Sequence, residues 1–142
     1  MEDRDPIEQT VSYVDTLFGE GAGNKHLRFL ERIQNPALRE QVLRYHALEA
    51  NTAELSLEEN YLLGMAVLAA LGRYDTAGMF AKTLLHLGTR KEKLLEAVAR
   101  LSMWIGGLPA VEAGFRVQRA IAEYERDGLG SLAVWFPEDG EP

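Results

Sequence analysis

Helix start and stop signals recur along this chain and leave little room for any other secondary structure. Asp5 precedes Pro6 and Asn35 precedes Pro36. Each pair joins a side-chain oxygen that can accept from free amides to a residue whose preset φ suits a first helical turn. Ser56 with Glu59, and Thr89 with Glu92, have capping-box spacing. Asn24 is placed to cap a short helix carrying Leu27, Leu30 and Ile33, and Pro109 to open the last long one. Glycines close the segments: Gly19 to Gly23, Gly72, Gly88, Gly106-Gly107, then Gly128 and Gly130.

Between these marks the apolar residues keep helical spacing. Ile7, Val11, Val14, Leu17 and Phe18 form one stripe, and Leu38, Val42, Tyr45 and Leu48 another. The segment from Leu57 to Leu71 is apolar on most of its circumference, which predicts burial by helices on several sides. Met79, Phe80, Leu84 and Leu87 read as the inward side of the next helix. Leu94, Leu95, Val98, Leu101 and Ile105 follow, then Val111, Ala113, Phe115, Val117, Ala120, Ile121 and Tyr124. Only LAVWF at 132–136 has strand-like content, and one short strand has nothing to pair with. The expectation is an all-α bundle of about seven helices.

A length of 142 residues suits one domain with one core. The reading is a helical lead-in over 1–55, a core over 56–127 and a tail over 128–142 whose apolar residues should pack on this subunit or a neighbour. Hydrophobic residues at 46% and charged ones at 26% argue against disorder. The net charge of -7 repels phosphate backbones and anionic lipid, so no nucleic-acid and no membrane partner is expected. No apolar run approaches the ~20 residues of a membrane span, and the acidic start is unlike a signal peptide, so a cytoplasmic address follows.

The chain has no cysteine. That removes thiolate nucleophiles, dithiol redox cycling, Fe–S clusters and Cys-ligated zinc. His26, His46 and His86 fall on three different expected helices without the i, i+4 spacing of a helical metal site. They read as structural or surface histidines, and no metal or cofactor is expected. The glycines lack phosphate-loop spacing and there is no GxSxG elbow. Glu96 with Arg100 and Glu112 with Arg116 are i, i+4 pairs that read either as solvated faces or as a carboxylate desolvated for proton transfer. Arg73 follows the most apolar helix, where it can point to water or clamp a substrate carboxylate. Trp104, before the Gly106-Gly107-Leu108-Pro109 break, can pack or line such a site.

MAVLAALGR (65–73), HLGTRKEKLLEA (86–97) and WIGGLPAVEAGFR (104–116), in that order, resemble the carboxymuconolactone decarboxylase family over about residues 57–118. The resemblance implies an alkylhydroperoxidase-D-like helical fold that assembles as a homo-trimer or homo-hexamer. It sets Arg73 on the family's LGR arginine and Trp104 on its aromatic before the glycine. Where the family carries a histidine eight residues before the closing glycine, this chain has Phe80. Where the peroxidase branch carries a glutamate, a C-x-x-C pair and that histidine, it has Tyr61, Arg73, Thr76 and Phe80.

None of those four side chains performs the ancestral chemistry, since a thiol peroxidase needs an attacking thiolate and a resolving thiol. The first expectation is therefore an oligomeric small-molecule-binding or scaffold protein. The alternative is a cofactor-free decarboxylase or isomerase acting on a small carboxylate. In it Arg73, Phe80 and Trp104 bind the substrate while Tyr61, His86 or Glu112 moves a proton. A peroxidase of the family type comes last.

Overall fold

The computed structural model describes residues 5–50 and 54–130. Among them are seven helices and no strand: α1 Pro6–Phe18, α2 Ala22–Glu31, α3 Pro36–Ala50, α4 Leu57–Ala70, α5 Tyr74–His86, α6 Lys91–Ile105 and α7 Gly107–Asp127. The all-α expectation is met; the apolar tail residues 132–136 lie outside the described residues. No described helix is long and apolar enough to cross a membrane. Packing groups α1–α3 in one compact unit and Leu55–Gly130 in another.

In the first unit α1 packs against both α2 and α3. Its core is small: Thr10, Tyr13, Val14 and Leu17 from α1 with Ala22 and Leu30 from α2. No residue of α3 is fully buried. The Asp5 carboxylate accepts from the Ile7 amide at 2.9 Å, and the Asn35 side chain accepts from Ala37 and Leu38. Asn24 is not the cap of α2. That helix starts earlier, at Ala22, after a left-handed Gly21 (φ 85°). Its free Gly23 amide is satisfied from α1, by Asp15 Oδ1 at 2.7 Å. The cap is tertiary, so local spacing does not reveal it.

In the second unit α5 lies between α4 and α7, and α6 packs on α7. Small residues let these helices approach closely: Ala77 and Ala81 on α5, and Ala113 and Ala120 on α7, are fully buried. Met65, Leu84, Leu94, Val98 and Val117 fill the space between. The Ser56–Glu59 capping box forms in both directions, at 3.1 and 2.8 Å. Left-handed Gly72 (φ 71°) ends α4 in a Schellman turn, with Arg73 N donating to Leu68 O at 2.8 Å.

Three local expectations fail here. The second capping box is absent, because the Gly88 turn draws the Thr89 amide back to Leu84 O and buries its hydroxyl, which donates to Glu58 Oε1 at 3.1 Å. Helix α6 then begins at Lys91 without a side-chain cap. Pro109 is the third residue of α7, which starts at Gly107; its missing N–H costs nothing where first-turn amides have no helical partner. Lastly, α4 is buried on one face only. Tyr61, Met65 and Ala69 point in, while Leu63, Val67 and Leu71, the same spacing two residues on, stay exposed. Val111 and Phe115 of α7 also point outward.

Candidate functional site

The residues singled out from sequence fall at four places in the second unit. Arg73 is exposed, at the N-terminal edge of α5. The next residue, Tyr74, hydrogen-bonds Glu112 of α7, and burial together with that carboxylate holds its phenol above the ordinary value. Asp75 accepts from Arg116 Nε at 2.8 Å. These two links tie the Arg73 turn to residues 112–116. The Arg116 guanidinium lies across Gly78, where a Cβ would stand 3.0 Å from Cζ, and its Nη1 is buried without a partner.

Tyr61 and Phe80 are brought together elsewhere. Their rings stack at 4.7 Å and 27°, and Phe80 lies against Gly64, so packed aromatic carbon occupies this place. His86 is exposed at the far end of α5, about 20 Å from Arg73 at 1.5 Å per residue. Trp104 is 82% exposed among the described residues. Arg73 and Glu112 thus share one end of the unit, half-buried Phe80 stacks on buried Tyr61, and His86 and Trp104 stand apart. An arginine in open water holds a carboxylate weakly, because the high dielectric and screening ions cut the attraction.

The first unit contains a polar cluster that sequence reasoning missed. His26 of α2 and His46 of α3 meet with Nε2 to Nε2 at 2.9 Å, edge to face. On the other side of His46, its buried Nδ1 faces Glu49 Oε2 at 3.6 Å. The Tyr13 hydroxyl, from α1, donates to that same oxygen at 3.1 Å. Tyr45 also bonds Glu49; the carboxylate's charge, then burial, raises its phenol's pKa. Burial, and secondarily His46, lowers His26 to about 4, so its ring is neutral at physiological pH. Two ring nitrogens this close need one N–H facing one lone pair. One Nε2 donates and the other accepts, the direction set by the two tautomers.

No spacing rule joins residues 26 and 46, because the turn at 32–35 and the shared contact with α1 bring them together. The only sequence signal was two histidines on consecutive expected helices. Among the described residues, no group of three or more His, Asp or Glu is arranged to hold a metal ion. An open groove of about 760 Å³ between α1 and α2 has Ile7, Val11 and Leu27 in its lining, with Glu8, Asp15 and Glu20. Three carboxylates make it a poor home for a carboxylate ligand. The chain matches no family model, no curated protein and no solved structure.

Proposed function

We propose that this chain is a self-associating helical protein of alkylhydroperoxidase-D-like architecture, working as an oligomeric binding or scaffold protein without that architecture's histidine or thiol chemistry. The observation that carries the reading is the apolar surface left open on the second unit. Leu63, Val67 and Leu71 line one face of α4; Met103 and Trp104 close α6; Leu108, Val111 and Phe115 follow on α7. The last five cluster around the α6–α7 corner, and the Tyr74–Glu112 bond draws the α4–α5 turn toward the same stretch of α7. Scattered exposed leucines need no explanation, but contiguous stripes on consecutive helices mark an interface. The α4 face of one copy can meet the α6–α7 corner of the next, a head-to-tail contact of two different surfaces that suits a closed trimer or hexamer.

The absence of chemistry rests on Phe80. Its stack on Tyr61 supplies carbon where a proton-transfer group would be required. A cofactor-free decarboxylase or isomerase would have to work from Arg73 with Glu112, which bonds the adjacent Tyr74. The exposure of Arg73 weighs against it.

Light scattering of the full chain tests the reading. The expected mass is a threefold or sixfold multiple of 15.8 kDa. Trp104→Glu with Phe115→Glu should return the single-chain mass with helix content intact, since both side chains are exposed. A wild-type particle of 15.8 kDa at micromolar concentration refutes self-association.

A further inference from the structure

We infer that the facing Nε2 atoms of His26 and His46 form a two-imidazole site for a divalent transition ion of the Ni2+ or Cu2+ type, with Glu49 as the outer carboxylate that orients His46. Three features of the first unit carry this. The donors come from separate helices, α2 and α3, and converge at 2.9 Å. Two nitrogens each about 2.0–2.1 Å from one ion and 2.9 Å apart subtend about 90°, the angle of neighbouring positions in octahedral or square-planar coordination. A tetrahedral ion needs its ligands about 3.3 Å apart, so Zn2+ requires the rings to open.

The second feature is the support behind His46. A ligating histidine characteristically turns its other ring nitrogen to a carboxylate, and here Glu49 Oε2 faces Nδ1 at 3.6 Å while Tyr13 and Tyr45 hold the carboxylate. The third is access and competition. Both rings are only partly buried, which leaves room for water at the remaining positions. The chain has no thiol to capture the ion, and its net charge of -7 draws cations.

Ni2+ alone, titrated into the full-length protein at neutral pH, tests this by NMR and calorimetry. One ion per chain is expected, and its paramagnetism should broaden the His26 and His46 ring signals while the exposed His86 ring stays sharp. His26→Gln and His46→Gln should each weaken binding at least tenfold. Glu49→Gln should weaken it 10- to 100-fold while both rings still broaden, an outcome that separates an orienting carboxylate from a ligand. If the His86 signal goes first, or the wild type binds Ni2+ no more tightly than either glutamine variant, the 2.9 Å contact is a plain hydrogen bond and the site does not exist. The ring signals of the wild type decide the matter even where a variant fails to fold.

Discussion

The unit of α1–α3 and the unit of α4–α7 solve the problem of holding helices together in different ways. The second relies on volume: alanines at the crossings, large aliphatic side chains between them, and helix ends closed by Schellman turns and a capping box. The first has a thin core, no fully buried residue on α3, and side chains that bridge helices through hydrogen bonds. Its Asp15 caps a neighbouring helix, its Tyr13 reaches Glu49 on α3, and its two histidines meet. A core built on volume tolerates polar change at its surface and resists change inside. One built on side-chain bridges depends on a few positions with no substitute.

Two glycines make the contrast measurable. A Cβ on Gly23 would meet the backbone of Val11, 2.7 Å from its Cα and 2.9 Å from its carbonyl carbon, with the carbonyl oxygen closer still. Backbone cannot swing aside, so α1 and α2 must part and the Asp15–Gly23 bond must stretch. Gly23→Ala should destabilise the protein by about 2–3 kcal/mol in urea unfolding, the upper range for overpacking. A loss below about 1 kcal/mol would mean that the first unit yields more easily than its bridges suggest.

Gly64→Ala probes the second unit at a similar distance with a softer neighbour. The new methyl would stand 2.7 Å from Phe80 Cε2, at the far end of a side chain. Strain of about 1–3 kcal/mol from overpacking is partly offset by the ~1 kcal/mol that alanine gains over glycine inside a helix. The expected net loss is about 1 kcal/mol, smaller than at Gly23, and Phe80→Leu in the same chain should recover part of it. If Gly64→Ala proves the more damaging of the two, the Tyr61–Phe80 stack is as rigid as backbone.

This difference also explains what was legible in the sequence. Helix ends are written locally: Asp5-Pro6, Asn35-Pro36, Ser56 with Glu59, and Gly72 all act where spacing placed them. Thr89 with Glu92 has the same spacing and does not act that way, because Glu58, 31 residues earlier, competes for the hydroxyl. Which face of an apolar helix turns inward is likewise a tertiary matter. Helix α4 has leucines and alanines all round, so its pattern could not say that Leu63, Val67 and Leu71 stay outside. The candidate site was less legible still. Tyr61 and Phe80 were found as positions but not as a stack, and the Tyr74–Glu112 bond beside Arg73 was not foreseen. Histidines 20 residues apart on separate helices carry no periodic signal.

Glu58 gives the finest test, because it holds the competing hydroxyl and stands for the surface of the second unit. Its Oε1 accepts from Lys93 Nζ at 2.8 Å and from Thr89 at 3.1 Å. The Lys93 bond first, and the Thr89 bond second, hold the carboxyl below its ordinary value of 4.5. A carboxyl with a lowered folded pKa adds stability that is complete above the unfolded value. That stability is lost as pH falls through the folded one, where the native state also takes the proton. The group is largely solvent-exposed, so the contribution is small, a few tenths of a kcal/mol for an ion pair of this kind. Glu58→Gln should lower the melting temperature by about a degree at pH 7. The gap should narrow only below pH 4.5 and shrink at 1 M salt, where screening weakens the Lys93 attraction. A gap that stays constant from pH 7 to pH 3 would mean that the glutamine disturbs the packing of buried Thr89 and that charge is not what Glu58 contributes.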